Sequence, residues 1–382
     1  MTNTTTLEKR SGSARPQPAE LRAEVRALLA DWQDANPFVP RCDSWLRAAD
    51  LGFSRALADR GLLGVTWPAP YGRGASYVGR LAVTEELLRA GAPVAAHWIG
   101  DRQIGPAILK HGSAALQEEL LPPLARAEAL FCLGMSEPEA GSDLAAVRTR
   151  AVPCEGGYRL TGRKIWTSGA HFATHIYVLA RTTPLDQVMR RHEGLSEFVV
   201  DMSSPGIAVS PIVDMAGEHH FNEVTLDDVL VPAHRLLGTE GDGWAQVTGQ
   251  LAFERGGPER LLSTYPLLRA AMAARAVAAS ESLTERLGEL VARLAVLRRL
   301  CLEIAQAMDG GAAPVQQAAT CKYLGTRFEY DVIDFARAVV SGGAEHLRAE
   351  VESALLASPG FGIRGGSADV LLSLITKAEL GR

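Results

Sequence analysis

The chain has 382 residues, of which 47% are hydrophobic and 22% are charged, and its net charge is −5. A chain of this length can bury two or three hydrophobic cores, so a single compact domain is not expected. The slight acidity and the scattered arginines provide no basic field for nucleic acid. No apolar run reaches the ~20 residues that span a bilayer, and the polar N-terminus does not resemble a signal peptide. We therefore expect a cytoplasmic protein without nucleic-acid or membrane partners.

The predicted elements change in kind along the chain. Residues 1–18 form a Ser/Thr/Pro-rich arm for which disorder is expected. Residues 19–129 show apolar side chains at helical spacing, which predicts an N-terminal α-helical domain. Residues 130–240 contain short alternating or β-branched runs, which predict a small central β domain. Residues 241–382 return to helical spacing and predict a C-terminal four-helix bundle. Its helices are predicted at roughly 242–276, 283–309, 314–340 and 367–379.

Metal and disulfide chemistry are not expected. The five cysteines are odd in number, and none of them stands in CxxC spacing, which argues against a disulfide framework and a zinc site. The adjacent His219 and His220 would face opposite ways on a strand and could not share a metal ion.

Two stretches of the β region carry candidate chemistry. The first, FCLGMSEPEAGSD at Phe131–Asp143, places the Ser136 hydroxyl and a run of backbone donors at a turn. The second, TGRKIWTSGA at Thr161–Ala170, supplies the Trp166 indole followed by two hydroxyls. A reduced flavin needs hydrogen-bond donors where negative charge develops on its ring, so the pair predicts a flavin cradle. A helix-capping loop and a core tryptophan are the alternative interpretation.

These stretches closely resemble the (T/S)EPxAGSD turn and the GxKxW(I/T)(T/S) strand of the acyl-CoA dehydrogenase family. A third stretch, GLLGVTWPAPYGRGAS at 61–76, is similar to the family's GLxGxxxPxxYGGxG loop. The resemblance implies an α+β multidomain fold in which helices flank a central β domain, with FAD as cofactor. It also implies an acyl-CoA or acyl-carrier-protein substrate, an electron-transfer acceptor, and assembly as a homodimer or homotetramer.

The resemblance assigns roles residue by residue. Ser142 lies where family members bind the phosphopantetheine arm of the substrate. The size of the acyl pocket is expected to depend on side chains such as Trp98, Leu133, Trp244 and Phe253. The positions expected to contact the flavin are Leu133, Met135, Ser136, Trp166, Thr167 and Ser168.

The reaction that the family performs needs a carboxylate to remove the α proton. Many members carry it near the C-terminus, where this chain has Gly365; the backbone N–H there is our candidate donor to the thioester carbonyl. The isovaleryl-CoA dehydrogenase type carries the base in the first bundle helix, within an LxxER pattern that here places Glu254. We therefore predict Glu254 as the catalytic base, with Glu259 and Asp369 as weaker candidates. A solvated helix glutamate is the alternative.

Two family segments that hold the FAD adenosine are not matched. The RxxFG…Q stretch reads ARAVAASESLTERLGELVARL here, and QxxGGxG reads ARAVVSGGAEHL. Three function classes stay open: an FAD-dependent acyl-thioester dehydrogenase, a flavin monooxygenase or thioester reductase on the same scaffold, and a degenerate partner subunit without catalysis.

Overall fold

The computed structural model describes residues 15–380, apart from the side chains of residues 251–254. Most of the predicted N-terminal arm, residues 1–14, lies outside the described residues, and the first helix begins at Pro18. The N-terminal helices are α1 (Pro18–Ala35), α2 (Ser44–Arg47), α3 (Leu51–Asp59), α4 (Tyr77–Arg89), α5 (Ala95–Ile99), α6 (Gly105–His111) and α7 (Ala114–Ala125).

Local sequence explains where these helices begin. Asp50, Ser76 and Ser113 cap α3, α4 and α7, because each side chain accepts a hydrogen bond from a backbone N–H of the first turn. A π-helical turn, Gly100–Ile104, joins α5 to α6 without a break, so that polar residues of this segment enter the interior of the protein.

The central region is one twisted sheet. Its spatial order is β6-β7-β3-β2-β4-β5-β8, and β1 pairs in parallel with β4. The strands are β1 (Phe131–Gly134), β2 (Arg150–Cys154), β3 (Gly157–Lys164), β4 (His175–Arg181), β5 (Leu195–Asp201), β6 (Ile207–Ile212), β7 (Phe221–Pro232) and β8 (Leu236–Leu237).

The C-terminal region is helical, as predicted, but two details differ. The arc predicted at 242–276 is interrupted, because Gly256 and Gly257 are followed by Pro258, which cannot continue a helix. An additional helix that periodicity did not indicate lies at 348–361. The helices are α8 (Gly243–Arg255), α9 (Tyr265–Met272), α10 (Arg275–Ala278), α11 (Glu281–Asp309), α12 (Val315–Ser341), α13 (Arg348–Phe361) and α14 (Ala368–Glu379).

The two helical regions share one hydrophobic core, although the sheet separates them in the sequence. Buried Leu21 and Phe53 of the N-terminal helices belong to the same cluster as Phe328 and Phe361 of the bundle. The predicted α+β architecture, with helical regions before and after a central β region along the chain, is confirmed. Within the described part of the chain, every helix is too short or too polar to cross a lipid bilayer.

Candidate active site

The structure brings the two candidate flavin-binding stretches together. The Ile165 N–H donates to the Ser136 carbonyl at 2.9 Å, just where the chain leaves β3. The Lys164 ammonium donates to the Met135 carbonyl at 3.3 Å. Residues that are almost thirty positions apart in the sequence therefore form adjacent walls of one surface.

A buried ion pair joins the same two stretches. The Lys164 ammonium lies 2.8 Å from Glu137 Oε1, and both side chains are buried. Glu137 also accepts hydrogen bonds from the Thr149 N–H at 2.9 Å and the Thr149 hydroxyl at 2.5 Å. Burial alone would raise the pKa of Glu137, but the Lys164 charge and these donors outweigh burial and hold that pKa below its usual value.

Trp166 occupies a backbone conformation that side chains seldom adopt. Its φ is 59°, and 55% of the residue is exposed. The indole contacts Phe221 edge-on, with ring centroids 5.6 Å apart. Asn222 fixes the next residue, because its carbonyl accepts the Thr167 N–H at 2.9 Å and its amide donates to the Thr167 carbonyl at 3.0 Å. Residues of β7 thus hold the Trp166 indole in a position where much of it is exposed to solvent.

The Thr167 hydroxyl fits a bound group. Its Oγ1 is buried and has no hydrogen-bond partner among the described residues. A buried hydroxyl without a partner costs free energy that a ligand acceptor or donor can recover. The hydroxyl lies between the indole of Trp166 and the partly exposed Ser168, so the donor set matches the polar edge of a flavin ring.

The remaining predicted contacts lie at different depths. Leu133 and Met135 are partly buried and pack against the hydrophobic cluster that contains Trp67. Ser136 is partly exposed, next to the junction with Ile165. Ser142 is exposed at the end of the same turn, where a larger substrate arm could reach it.

Two neighbouring cavities lie beside α8. The larger has a volume of about 290 Å³ and the smaller about 40 Å³. Gln246, Gly249 and Gln250 line the larger one, and Gly256 and Gly257 line the smaller one. The side chains of Phe253 and Glu254 lie outside the described residues. Their backbone positions on α8 fall between the residues that face the two cavities.

At the C-terminal position where many family members carry the base, this chain has a glycine next to two arginines. Gly365 has φ 69°, and its carbonyl accepts a hydrogen bond from Arg255 Nε at 2.9 Å. A Cβ atom at this position would lie 3.0 Å from Arg260 Nη2. A side chain at 365 would therefore press against a buried guanidinium.

Sequence reasoning missed the cationic residues that line these cavities. Arg80 of α4 and Arg102 of the π-helical turn line both cavities, together with Gln103. The only available signal was a polar DRQ triplet within an otherwise apolar helical segment. Of the aromatic residues expected to shape the pocket, Trp98 lines the smaller cavity.

One group of possible metal ligands occurs outside this site. Asp214, Glu218 and His220 bring single ligand atoms within 4.8 Å of one another. Glu218 is already paired with Arg41 and Arg47, which neutralise its charge without a metal ion. The cluster is therefore explained as an ion-pair network.

The architecture and this site define a class of flavin-dependent oxidoreductases built from helices, a sheet and a helical bundle. Three family models match in succession: the N-terminal domain of acyl-CoA dehydrogenase at residues 16–128, the middle domain at 132–229 and the C-terminal domain at 241–380. The chain belongs to the acyl-CoA dehydrogenase family, whose members bind FAD.

Individual relatives agree with this assignment. The chain is 36% identical to acyl-CoA dehydrogenase FadE34 of Mycobacterium tuberculosis, over 85% of this chain and 45% of FadE34. It is 31% identical to FadE26 of the same organism, over 78% of this chain and 76% of FadE26. The solved structure of the Tcur3481-Tcur3483 steroid ACAD superimposes with a TM-score of 0.84 at 25% identity, covering 97% of this chain and 99% of that one. The chain thus spans about half the length of FadE34.

Proposed function

We propose that the protein is a cytoplasmic, FAD-dependent enzyme that introduces an α,β double bond into an acyl thioester. The observation that carries this proposal is the buried, unpartnered Thr167 hydroxyl at the junction of the two motif stretches. Bound FAD would accept the hydride that leaves the β carbon and would pass its electrons to a separate acceptor. CoA and an acyl carrier protein are both accepted as carriers in this proposal, since both present the same phosphopantetheine arm to Ser142.

Six residues would hold the flavin. The Ser136, Thr167 and Ser168 hydroxyls supply hydrogen bonds to the polar edge of the ring. The exposed Trp166 indole supplies an aromatic face against which the ring can pack. Leu133 and Met135 supply the apolar floor beneath it.

In this proposal, Glu254 removes the α proton and keeps it on its carboxyl group. Its backbone position on α8, between residues that line the two cavities, supports this role. The alternative position also supports it, because Gly365 there has no side chain that could act as a base. The Gly365 N–H would donate a hydrogen bond to the thioester carbonyl as negative charge develops there.

The test is anaerobic mixing of the FAD-reconstituted protein with a panel of acyl thioesters. We expect the visible absorption band of the oxidised flavin to disappear with at least one thioester. Protein that stays colourless after reconstitution would instead support a non-catalytic partner subunit. A flavin that binds but stays oxidised with every thioester would favour a monooxygenase or a thioester reductase.

The base is tested with a matched pair of variants. Glu254→Gln should retain FAD and lose the bleaching, because the amide cannot accept the α proton. Glu259→Gln is the comparison, since Glu259 lines the smaller cavity and is the weaker candidate. Bleaching that survives in Glu254→Gln and disappears in Glu259→Gln would transfer the role to Glu259.

We also propose that the chain forms a homodimer or homotetramer through its bundle. Several large apolar side chains of the bundle helices are exposed in the single chain: Val291, Val296, Leu324 and Leu372. Light scattering should give a mass of two or four chains, and Val296→Glu with Leu324→Glu should lower it. A monomeric wild-type protein would contradict this.

A further inference from the structure

Arg102 is a largely buried cation from which no described residue accepts a hydrogen bond. Its side chain is 10% exposed and stacks on Trp98, with the guanidinium carbon 3.8 Å from the ring centroid. Its Nε is buried, and no described residue accepts a hydrogen bond from it. The nearest carboxylate oxygen, on Asp101, is 3.9 Å away, and the other oxygen of Asp101 accepts the Gly64 N–H at 2.7 Å. Asp101 therefore compensates the Arg102 charge only in part.

Arg80 adds a second positive charge to the same space. It lies on α4, lines both cavities as Arg102 does, and places its guanidinium 5.1 Å from the Tyr77 ring centroid. No hydrogen bond links its guanidinium to the described part of the chain. Burial lowers the pKa of Arg102 to about 10, and the Arg80 charge acts in the same direction. Arg102 nevertheless stays protonated at neutral pH.

The lining of the larger cavity has an excess of positive charge. Besides the two arginines it contains Lys110, and its described lining residues include no carboxylate. The smaller cavity contains Glu259, whose Oε2 is buried and has no hydrogen-bond partner among the described residues. A hydrocarbon chain in the larger cavity would offer no acceptor to Arg102, whose charge Asp101 and Glu259 offset only in part, and this is unfavourable.

From this arrangement we infer that the acyl group of the substrate carries a carboxylate, remote from the thioester, which Arg102 and Arg80 bind in the larger cavity. The inference rests on the proposed function and specifies the substrate class of that site. An arginine can hold both oxygens of a carboxylate through parallel N–H donors, which suits the open Arg102 guanidinium.

The position of the cavity along α8 sets the distance between the two ends of such a substrate. Gln246 and Gln250 line the cavity, eight and four residues before Glu254. At ~1.5 Å per residue these positions lie roughly 6 to 12 Å from the proposed base along the helix axis. A dicarboxylic acyl chain of adipyl to suberyl length reaches the nearer part of that range.

The experiment compares three CoA thioesters of one chain length: adipyl, its neutral methyl ester, and hexanoyl. Dissociation constants come from isothermal titration, and turnover comes from anaerobic flavin bleaching. We expect adipyl to be preferred by about 100-fold over both neutral thioesters, because each of them leaves the guanidinium groups unpaired. A methyl ester that equals adipyl would show that a neutral acceptor suffices and would overturn the inference. So would a preference for hexanoyl.

Arg102→Met tests the residue itself, and Arg55→Met is the control. Arg55 is exposed on α3, so its substitution removes one positive charge far from the cavity and should keep the adipyl preference. Arg102→Met should reduce that preference at least tenfold. Without substrate, it should be as stable as the wild type, because a buried charge without a hydrogen bond is replaced by an apolar side chain. Retention of the preference in Arg102→Met would overturn the assignment.

These outcomes separate the inference from the proposed function. If no thioester bleaches the flavin, the proposed dehydrogenation fails. The dissociation constants from isothermal titration then show by themselves whether the site prefers adipyl-CoA to the two neutral thioesters. If all three thioesters bleach the flavin equally and bind with equal affinity, the dehydrogenation stands and the inference fails.

Discussion

Lys164 and Glu137 form a buried ion pair, 2.8 Å between Nζ and Oε1, that ties together the two stretches expected to hold the flavin. Removing one partner of such a pair leaves an uncompensated charge, which typically costs about 3–5 kcal/mol. Lys164→Met should therefore lower the free energy of unfolding by about that amount, measured by urea denaturation. FAD binding should weaken with it, because Met135 loses the donor to its carbonyl.

The neighbouring residue on the same strand provides the control. Arg163 is exposed and lies 3.7 Å from Glu223 on the sheet surface. Exposed pairs of this kind contribute about 0–1 kcal/mol, so Arg163→Met should change the stability little. If both variants lost the same free energy of unfolding, the buried pair would contribute no more to stability than the exposed one.

A second prediction concerns the Thr167 hydroxyl. Thr167→Val keeps the shape of the side chain and removes a buried hydroxyl that has no partner among the described residues. The variant without FAD should be as stable as the wild type or more stable, because the cost of burying that hydroxyl disappears. Its affinity for FAD should fall about tenfold, which corresponds to one lost hydrogen bond of ~1.4 kcal/mol.

Fluorescence titration with FAD and thermal unfolding measure the two effects separately. Thr167→Ser keeps the hydroxyl and should keep most of the FAD affinity. A Thr167→Val protein that is less stable without FAD, yet binds FAD normally, would show that the hydroxyl serves the fold and not the cofactor.

The fold was largely predictable from the sequence because its signals are local. Runs of alternating apolar and polar residues predict the strands. The paired strands β3 and β7 both lie in such runs. The two motif stretches could be paired through their chemistry and the family resemblance, but the Lys164–Glu137 contact between them could not be predicted, since it joins residues far apart in the sequence. The helix at 348–361 escaped prediction because Pro359 and Gly360 stand in its last turn, where they normally signal a break.

The arginines of the cavity illustrate what local signals cannot provide. Arg80 and Arg102 come from separate helices, and an arginine on a helix is ordinarily solvated. Their positions depend on how α8 packs against the π-helical segment and on how α4 packs against the turn at Pro258–Arg260. Sequence spacing along one element contains no information on that packing.

A third prediction concerns pH. Glu197 is buried, accepts the Tyr177 hydroxyl at 2.5 Å and accepts the Gln250 amide at 3.1 Å, which links the sheet to α8. Burial raises the pKa of Glu197 to about 8, against an ordinary value of 4.5. The folded state therefore binds a proton that the unfolded state releases, and this contribution to stability is lost as the pH rises from about 4.5 to about 8.

Glu197→Gln should remove this pH dependence, because the amide stays neutral. The measurement is the free energy of unfolding at several pH values across that window, taken as the difference between variant and wild type. As the pH rises, the free energy of unfolding of the variant should increase relative to that of the wild type. Glu128→Gln is the control, because the hydrogen bond from Arg126 holds the pKa of the exposed Glu128 carboxyl below its usual value, and it should show no such trend over this window. A constant difference for Glu197→Gln would mean that Glu197 is ionised throughout.

A last prediction uses two glycines in helices. A Cβ atom at Gly105, where α6 begins, would lie 2.0 Å from Cζ2 of the buried Trp67, so Gly105→Ala must displace an indole that lines the larger cavity. A Cβ atom at Gly288, within α11, would meet no atom within 4 Å. Gly105→Ala should destabilise the protein by about 1–3 kcal/mol through overpacking. Gly288→Ala should stabilise it by about 0.5–1 kcal/mol, because alanine restricts the unfolded chain and favours the helix.

Denaturant unfolding should therefore show a lower free energy of unfolding than the wild type for Gly105→Ala and a higher one for Gly288→Ala, although the substitution is the same. The adipyl thioester titration adds a second readout, because only Gly105→Ala disturbs the wall of the cavity, and only that variant should bind the thioester more weakly. If both variants are destabilised and bind normally, then Trp67 has room to move, and the cavity is more adaptable than its tightly packed wall indicates.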